Sequence, residues 1–315
     1  MTTTPAAVFR PLRQRVSASA FHPELRRVSR FLPNTLVTPV TVWAFARLPR
    51  IVRPHPNTDA ITLPSGLAVR VHQPSVASTP GGAALLWIHG GGYVLGSAAM
   101  DDGLCRRLAE ELGILVAAVD YRLAPAHPYP AALIDCYETL TWLAAHPEVD
   151  AKRVAVAGAS AGGGLAAALA LMARDRGEVD IAAQILLYPM LDDRTAMRRD
   201  ADRGLRRLWN NASNALGWSA YLVGADPHIA VPARRGDLRG IAPAWIGVGT
   251  LDVLCDESYS YAERLREADV ECRLEVVPGA FHGFDAVAPE SAISRRFLTS
   301  QCTMLRDRLR ISTKG

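Results

Sequence analysis

The chain has 315 residues, 49% of them hydrophobic and 21% charged, with a formal net charge of +4. This is ordinary material for a soluble globular protein, long enough for one large domain or a domain with a lid. No apolar run approaches the roughly 20 residues that span a bilayer, and no zinc-finger spacing or aromatic-basic RNA motif is present, so stable membrane insertion and nucleic-acid binding are both expected to be absent.

The first fifty residues carry Arg10, Arg13, Arg15, Arg26, Arg27 and Arg30 without the apolar core of a signal peptide, which points to a cytoplasmic protein. Leu25, Val28, Phe31 and Leu32 have helix-like spacing within that stretch. The five cysteines, Cys105, Cys136, Cys255, Cys272 and Cys302, are odd in number and scattered, which suits a reducing compartment. They show no metal-ligand spacing, so no metal site is expected.

From about Ile61 onward, β-rich runs alternate with helix-period stretches. The strands are predicted at Leu67–His72, Ala83–Ile88, Leu115–Val119, Val154–Ala157, Ile185–Tyr188, Ala244–Val248 and Cys272–Val277. Helices are predicted at Asp101–Leu112, Ala131–Ala145, Gly164–Arg174 and Ser258–Ala268, with a closing helix over Ile293–Arg310. Strands separated by helices imply an α/β fold with a mostly parallel sheet covered on both faces, its ligand site along the edge where the strands end. The stretch from about Asp192 to Leu238, rich in Arg, Trp and Asn, is too long for an ordinary connection. It is expected to fold with the N-terminal segment as a cap over the strand ends. Its densest basic part, Arg194 to Arg207, is interrupted by Asp200 and Asp202 and reads as a solvated face.

Two glycine motifs punctuate this pattern. His89-Gly90-Gly91-Gly92 follows the run Ala83–Ile88, and Gly158-Ala159-Ser160-Ala161-Gly162 follows Val154–Ala157. A serine hydroxyl needs a base within hydrogen-bond reach, and donors for the oxyanion that its attack creates. A sharp strand-to-helix turn would project Ser160 into the cleft, with Gly158 and Gly162 where a Cβ would collide. The earlier loop can aim the N–H groups of Gly91 and Gly92 at the same point, with Gly90 needed for the bend and His89 shaping the loop. Ala161, just after the serine, supplies a third N–H. A phosphate-binding loop fits less well, because neither a GK[ST] ending nor GxGxxG spacing follows Val154.

With these motifs, the segments Asp120-Tyr121-Arg122-Leu123-Ala124-Pro125, His127-Pro128-Tyr129-Pro130-Ala131-Ala132, Tyr188-Pro189-Met190-Leu191-Asp192 and His282-Gly283-Phe284 make nearly the whole chain resemble the bacterial hormone-sensitive-lipase-like carboxylesterases of the α/β-hydrolase superfamily. The chain departs from that pattern at Ala126 and Ala159, where the family often has an acid. The resemblance implies a central sheet of about eight strands, with helices on both faces and a helical cap. It implies a catalytic core over 46–191 and 239–315, and cap parts at 1–45 and 192–238. It also implies a small-molecule ester of short to medium acyl length as substrate, no cofactor, and a homodimer paired through the sheet edge near the last strand.

The hydrolase chain order of nucleophile, acid and histidine selects His282, after the last strand, from the eight histidines. Asp252, after the preceding strand, is the matching acid. Asp256 and Glu257 are rivals one turn later, where they read as charges at a helix N-terminus, with Glu257 still open as a supporting group. Candidate pocket residues are Tyr93, Tyr188, Met190, Trp209, Trp218 and Leu254, each of which can equally be core or cap packing. Two rival readings remain: a ligand-binding relative of the fold, against which the presence of Ser160, Asp252 and His282 argues, and an amidase or peptidase using the same groups.

Overall fold

The computed structural model describes residues 18–45, 58–75, 81–198 and 204–311. Residues 1–17 of the expected cap, 46–57 of the expected core and 199–203 of the expected insertion lie outside the described residues. Eight strands form one sheet: β1 (Thr58–Thr62), β2 (Ala68–His72), β3 (Gly82–Ile88), β4 (Leu115–Val119), β5 (Val149–Ala159), β6 (Ala183–Leu187), β7 (Ala244–Gly249) and β8 (Cys272–Val277). Their order is β1-β2-β4-β3-β5-β6-β7-β8. β2 runs antiparallel to β1 and β4, and every pairing from β4 to β8 is parallel.

Two short helices, α1 (Arg26–Ser29) and α2 (Pro39–Phe45), precede the sheet. The connections carry α3 (Asp102–Leu112), α4 (Ala131–Ala144), α5 (Ala161–Arg176), then α6 (Asn211–Tyr221) and α7 (Pro227–Ala230) between β6 and β7, and α8 (Cys255–Glu267). After β8 come α9 (Phe284–Val287) and α10 (Ala292–Arg308). The strands are buried on both faces because successive side chains enter two separate cores. Along β3, Ala84, Leu86 and Ile88 pack with α4, α5 and α8, while Leu85 and Trp87 pack with α3 and α10.

The chain leaves β3 for β4 on one side and returns to β5 on the other, so the sheet reverses its winding between β3 and β5. Ligands bind at such a switch point because the loops after the two strands diverge there. Ile88 pairs with Gly158, which brings His89–Gly92 and Ser160 out of the sheet at the same level.

The strand readings hold in place, but several bounds differ, and β5 begins at Val149 rather than Val154. β1 completes an antiparallel hairpin edge that alternation from Ile61 onward did not anticipate. α5 begins at Ala161 rather than Gly164, and α8 at Cys255 rather than Ser258, because tertiary packing overrides weak local helix propensity. The N-terminal helix pattern is realised only as a 3₁₀ turn and the four-residue α1; Leu25 is fully buried, whereas Phe31 is 83% exposed.

His72 on β2 is fully buried beside Thr58, with the Arg70–Asp102 ion pair adjacent. Burial, outweighing the attraction of Asp102, pushes its imidazole down to about 4. The unfolded chain therefore takes up a proton near 6.5 that the folded protein refuses, so stability falls as pH drops through the window from about 6.5 to 4, by on the order of 3 kcal/mol at most. Urea midpoints at about pH 7 and pH 4.5 should separate less in His72→Gln than in the wild type; an equal separation would show that His72 does not govern the acid limb.

Candidate active site

Ser160 sits between β5 and α5 with φ 59° and ψ −118°, a conformation that an L-residue holds only when its surroundings enforce it. The enforcement is visible in hydrogen bonds. Ser160 N–H donates to Leu187 O on β6, and Ser160 O accepts from the N–H groups of Gly164 and Met190. A Cβ on Gly158 would lie 2.3 Å from Gly162 O, and one on Gly162 would lie 2.0 Å from Ile88 O. The turn is tight enough that only glycine fits at both positions.

The loop after β3 presses against this turn. A Cβ at Gly90 would come within 3.1 Å of Ala159 O and 3.4 Å of the Ser160 Cβ. Gly91 and Gly92 both have positive φ, and Gly91 O accepts from the N–H groups of Val94 and Leu95, closing the loop. His89 stacks on Tyr121 at 4.1 Å, its Nδ1 2.7 Å from Gly90 O, while the Tyr121 hydroxyl donates to His89 O. His89 thus braces the loop from beneath. The segment that follows is anchored by Arg122, which forms a bidentate pair with Asp135 of α4.

The loops after β7 and β8 set the other two groups. Leu251 N–H donates to Ala280 O, and Gly279 N–H to the Thr250 hydroxyl, so the two loops are bonded to each other. Asp252 Oδ2 lies 2.7 Å from His282 Nδ1, and His282 Nε2 lies 3.0 Å from Ser160 Oγ. A carboxylate accepts only, so Nδ1 carries the proton and Nε2 is left to accept from the serine hydroxyl. Leu254 N–H occupies the other Asp252 oxygen at 3.0 Å. All three side chains are buried.

The N-terminal segment and the insertion meet above this site. Leu36 N–H donates to Leu208 O, Leu208 N–H to Pro33 O, the Ser213 hydroxyl to Val37 O and Arg207 Nε to Ser29 O. Trp209 lies over His282 with ring centres 5.9 Å apart, and a Cβ at Gly92 would strike its ring at 2.4 Å. Tyr93 stacks on Tyr221 at 4.1 Å and contacts Trp218 at 5.2 Å. The edge of Tyr188 faces His282, and its hydroxyl donates to Asp285. Met190 and Leu254 are fully buried in the apolar core beside these groups. Sequence reasoning passed over Tyr221, Asp285 and Asn214; only the burial of polar groups on helix faces signals them.

Glu257 differs from its reading as a helix-terminal charge. It is 1% exposed, and its Oε1 accepts from the N–H groups of Leu191 and Asp192. Burial pushes its carboxyl up to about 8, with Asp192 adding to the rise. A protonated Glu257 therefore ties α8, just past Asp252, to the segment that runs on from Met190.

A serine, histidine and buried carboxylate in hydrogen-bonded series at the switch point of an α/β sheet is the arrangement of a serine hydrolase. Residues 85–286 match the α/β hydrolase fold family. The chain is 34% identical over 243 residues to esterase LipI of Mycobacterium tuberculosis, covering 73% of this chain and 76% of that one. It is 36% identical over 236 residues to an ethyl acetate hydrolase of Pseudomonas putida, covering 72% of each. The crystal structure of esterase LipW from Mycobacterium marinum superposes with a TM-score of 0.79 at 34% identity, over 93% of this chain and 97% of that one. A bacterial heroin esterase gives 0.80 at 34% identity, over 92% and 98%. The chain belongs to the α/β-hydrolase family, in the hormone-sensitive-lipase-like group that its motifs resemble. Among the described residues, no helix is long and apolar enough to cross a membrane.

The proton on Glu257 sets the alkaline side of stability. The folded state keeps it while the unfolded chain releases it above about 4.5, so this contribution is lost as pH rises through about 8. Glu257→Gln keeps the acceptor and cannot ionise. Its melting temperature should fall less than that of the wild type between about pH 6 and pH 9; parallel falls would contradict the assignment.

Proposed function

We propose that the protein is a serine carboxylesterase that hydrolyses short- to medium-chain esters through an acyl-enzyme. The observation that carries this reading is the unbroken series from Ser160 Oγ through His282 to Asp252, at a serine whose backbone is held at positive φ beside a glycine loop. Ser160 attacks the ester carbonyl while His282 Nε2 takes its proton, and Asp252 balances the imidazolium. The N–H groups of Gly91, Gly92 and Ala161 receive the oxyanion. His282 returns the proton to the leaving alcohol, then activates the water that releases the acid. Besides that water, the catalytic groups all come from the protein.

The relatives named esterase and ethyl acetate hydrolase support an ester of modest size as substrate. The segments 1–45 and 192–238 serve as the cap, and 46–191 with 239–315 as the catalytic core. Trp209 and Trp218 from the cap, with Tyr93 and Tyr188 from the core, enclose the substrate, and Met190 and Leu254 back them from within the core. The five free cysteines suit a cytoplasmic location. β8, at the sheet edge, is the place where a homodimer would pair.

Ser160→Ala should lower kcat on p-nitrophenyl butyrate by about 10⁶-fold, with the melting temperature retained. A folded Ser160→Ala protein with wild-type turnover would refute the mechanism.

A further inference from the structure

The insertion carries three asparagines near its helix, and two of them make side-chain hydrogen bonds, although Asn211 Oδ1 has no partner. Asn210 caps α6, its side chain accepting from Ser213 N–H. Asn211 donates from Nδ2 to Arg198 O at 2.7 Å. Asn214, in the helix interior and fully buried, has neither its Nδ2 nor its Oδ1 in a hydrogen bond. A buried primary amide with no partner is rare, and asparagine is also a poor residue for a helix interior. A leucine would satisfy packing at that position better.

The placement of Asn214 explains its retention. With Gly217, Trp218 and Tyr221 it occupies positions i, i+3, i+4 and i+7, one face of α6. That face is the one turned to the oxyanion loop: a Cβ on Gly217 would lie 2.7 Å from Gly92 O, and Trp218 and Tyr221 both pack on Tyr93. The stripe continues through Trp209, over His282. Its other polar atoms are unpartnered as well, namely Nε1 of Trp209 and of Trp218 and the Tyr221 hydroxyl. Four buried side chains on the face of the insertion that packs on Gly92, Tyr93 and His282 thus hold unmet hydrogen-bonding capacity. The two indoles donate only, and Asn214 and Tyr221 donate and accept, so the complementary group is rich in acceptors. α6 brings no charged side chain to this face, which favours a neutral group.

We propose that Asn214, with the indole N–H groups of Trp209 and Trp218, forms a polar recognition subsite, and that the preferred substrate is an ester bearing a second neutral oxygen, a hydroxyl or carbonyl, close to the scissile bond. This rests on the carboxylesterase reading and narrows its substrate class from plain alkyl esters to oxygenated ones. A site built around hydrogen bonds rejects an analogue lacking the partner, because its own polar groups are then left buried and unmet.

The test compares kcat/KM for ethyl butyrate with that for ethyl 3-hydroxybutyrate, which places the oxygen on the acid side, and for ethylene glycol monobutyrate, which places it on the alcohol side. The wild type should favour one oxygenated ester over ethyl butyrate by at least about tenfold. Asn214→Leu, close in shape, should reduce that ratio at least about tenfold, and Trp218→Phe, which removes an N–H and keeps an aromatic ring, should reduce it as well. Should Asn214→Leu fail to fold, Trp218→Phe alone decides the matter. A wild type indifferent to the added oxygen, or a ratio unchanged in a folded variant, overturns the subsite while leaving the esterase reading intact. A wild type that hydrolyses none of the three esters, nor p-nitrophenyl acetate, overturns both.

Discussion

The structure depends on one close backbone contact, where the loop leaving β3 meets the turn leaving β5. Gly162 lies where any side chain would drive into Ile88 O and His89 O, and Gly90 rests against Ala159 O and the Ser160 Cβ. With side chains at Gly158 and Gly162, the two segments could not approach, and the serine would have no loop of N–H groups beside it. The parallel pairing of β3 with β5 sets the level at which they meet. Everything catalytic is then arranged around a point that the sheet defines.

The histidine and the acid arrive by a second, independent device. The loops after β7 and β8 are bonded to each other through Leu251, Ala280, Thr250 and Gly279, which fixes Asp252 and His282 relative to each other. His22 N–H donates to Gly279 O, which ties the N-terminal segment to the same loops. The base of the insertion is fastened as well, by the Asp193–Arg234 pair and by Ala233 N–H donating to Leu191 O. Glu257 joins the start of α8 to the same segment. The insertion therefore bears on the reacting groups through Trp209 on one side and through these ties at its base.

Much of this was legible in the chain because the relevant residue types have few alternative uses. Glycines at 158 and 162 around a serine, following a β-rich run and preceding a helix, specify a turn that steric exclusion then enforces. The strands were legible because burial on both faces makes them continuous apolar runs, as in Leu115–Val119. β1 was not, since Thr58–Thr62 is a mixed edge strand without such a run. The environment of Glu257 was hidden too: a carboxylate at a helix start reads as a surface charge until its burial against Leu191 and Asp192 is seen. Asn214 was hidden for a related reason, because burial and the lack of a partner are properties of the fold rather than of the residue. Pocket residues were the least legible, since Met190 and Leu254 share their chemistry with the core around them.

Ser160, held at positive φ and bonded to His282, is expected to react as an activated nucleophile. The most direct measurement of that reactivity is intact-protein and peptide mass spectrometry after treatment with a p-nitrophenyl phosphonate ester. One stoichiometric phosphonyl adduct is expected, on the peptide containing Ser160, and none when His282 is replaced by alanine. An unmodified wild type, or an adduct on another residue, would contradict it.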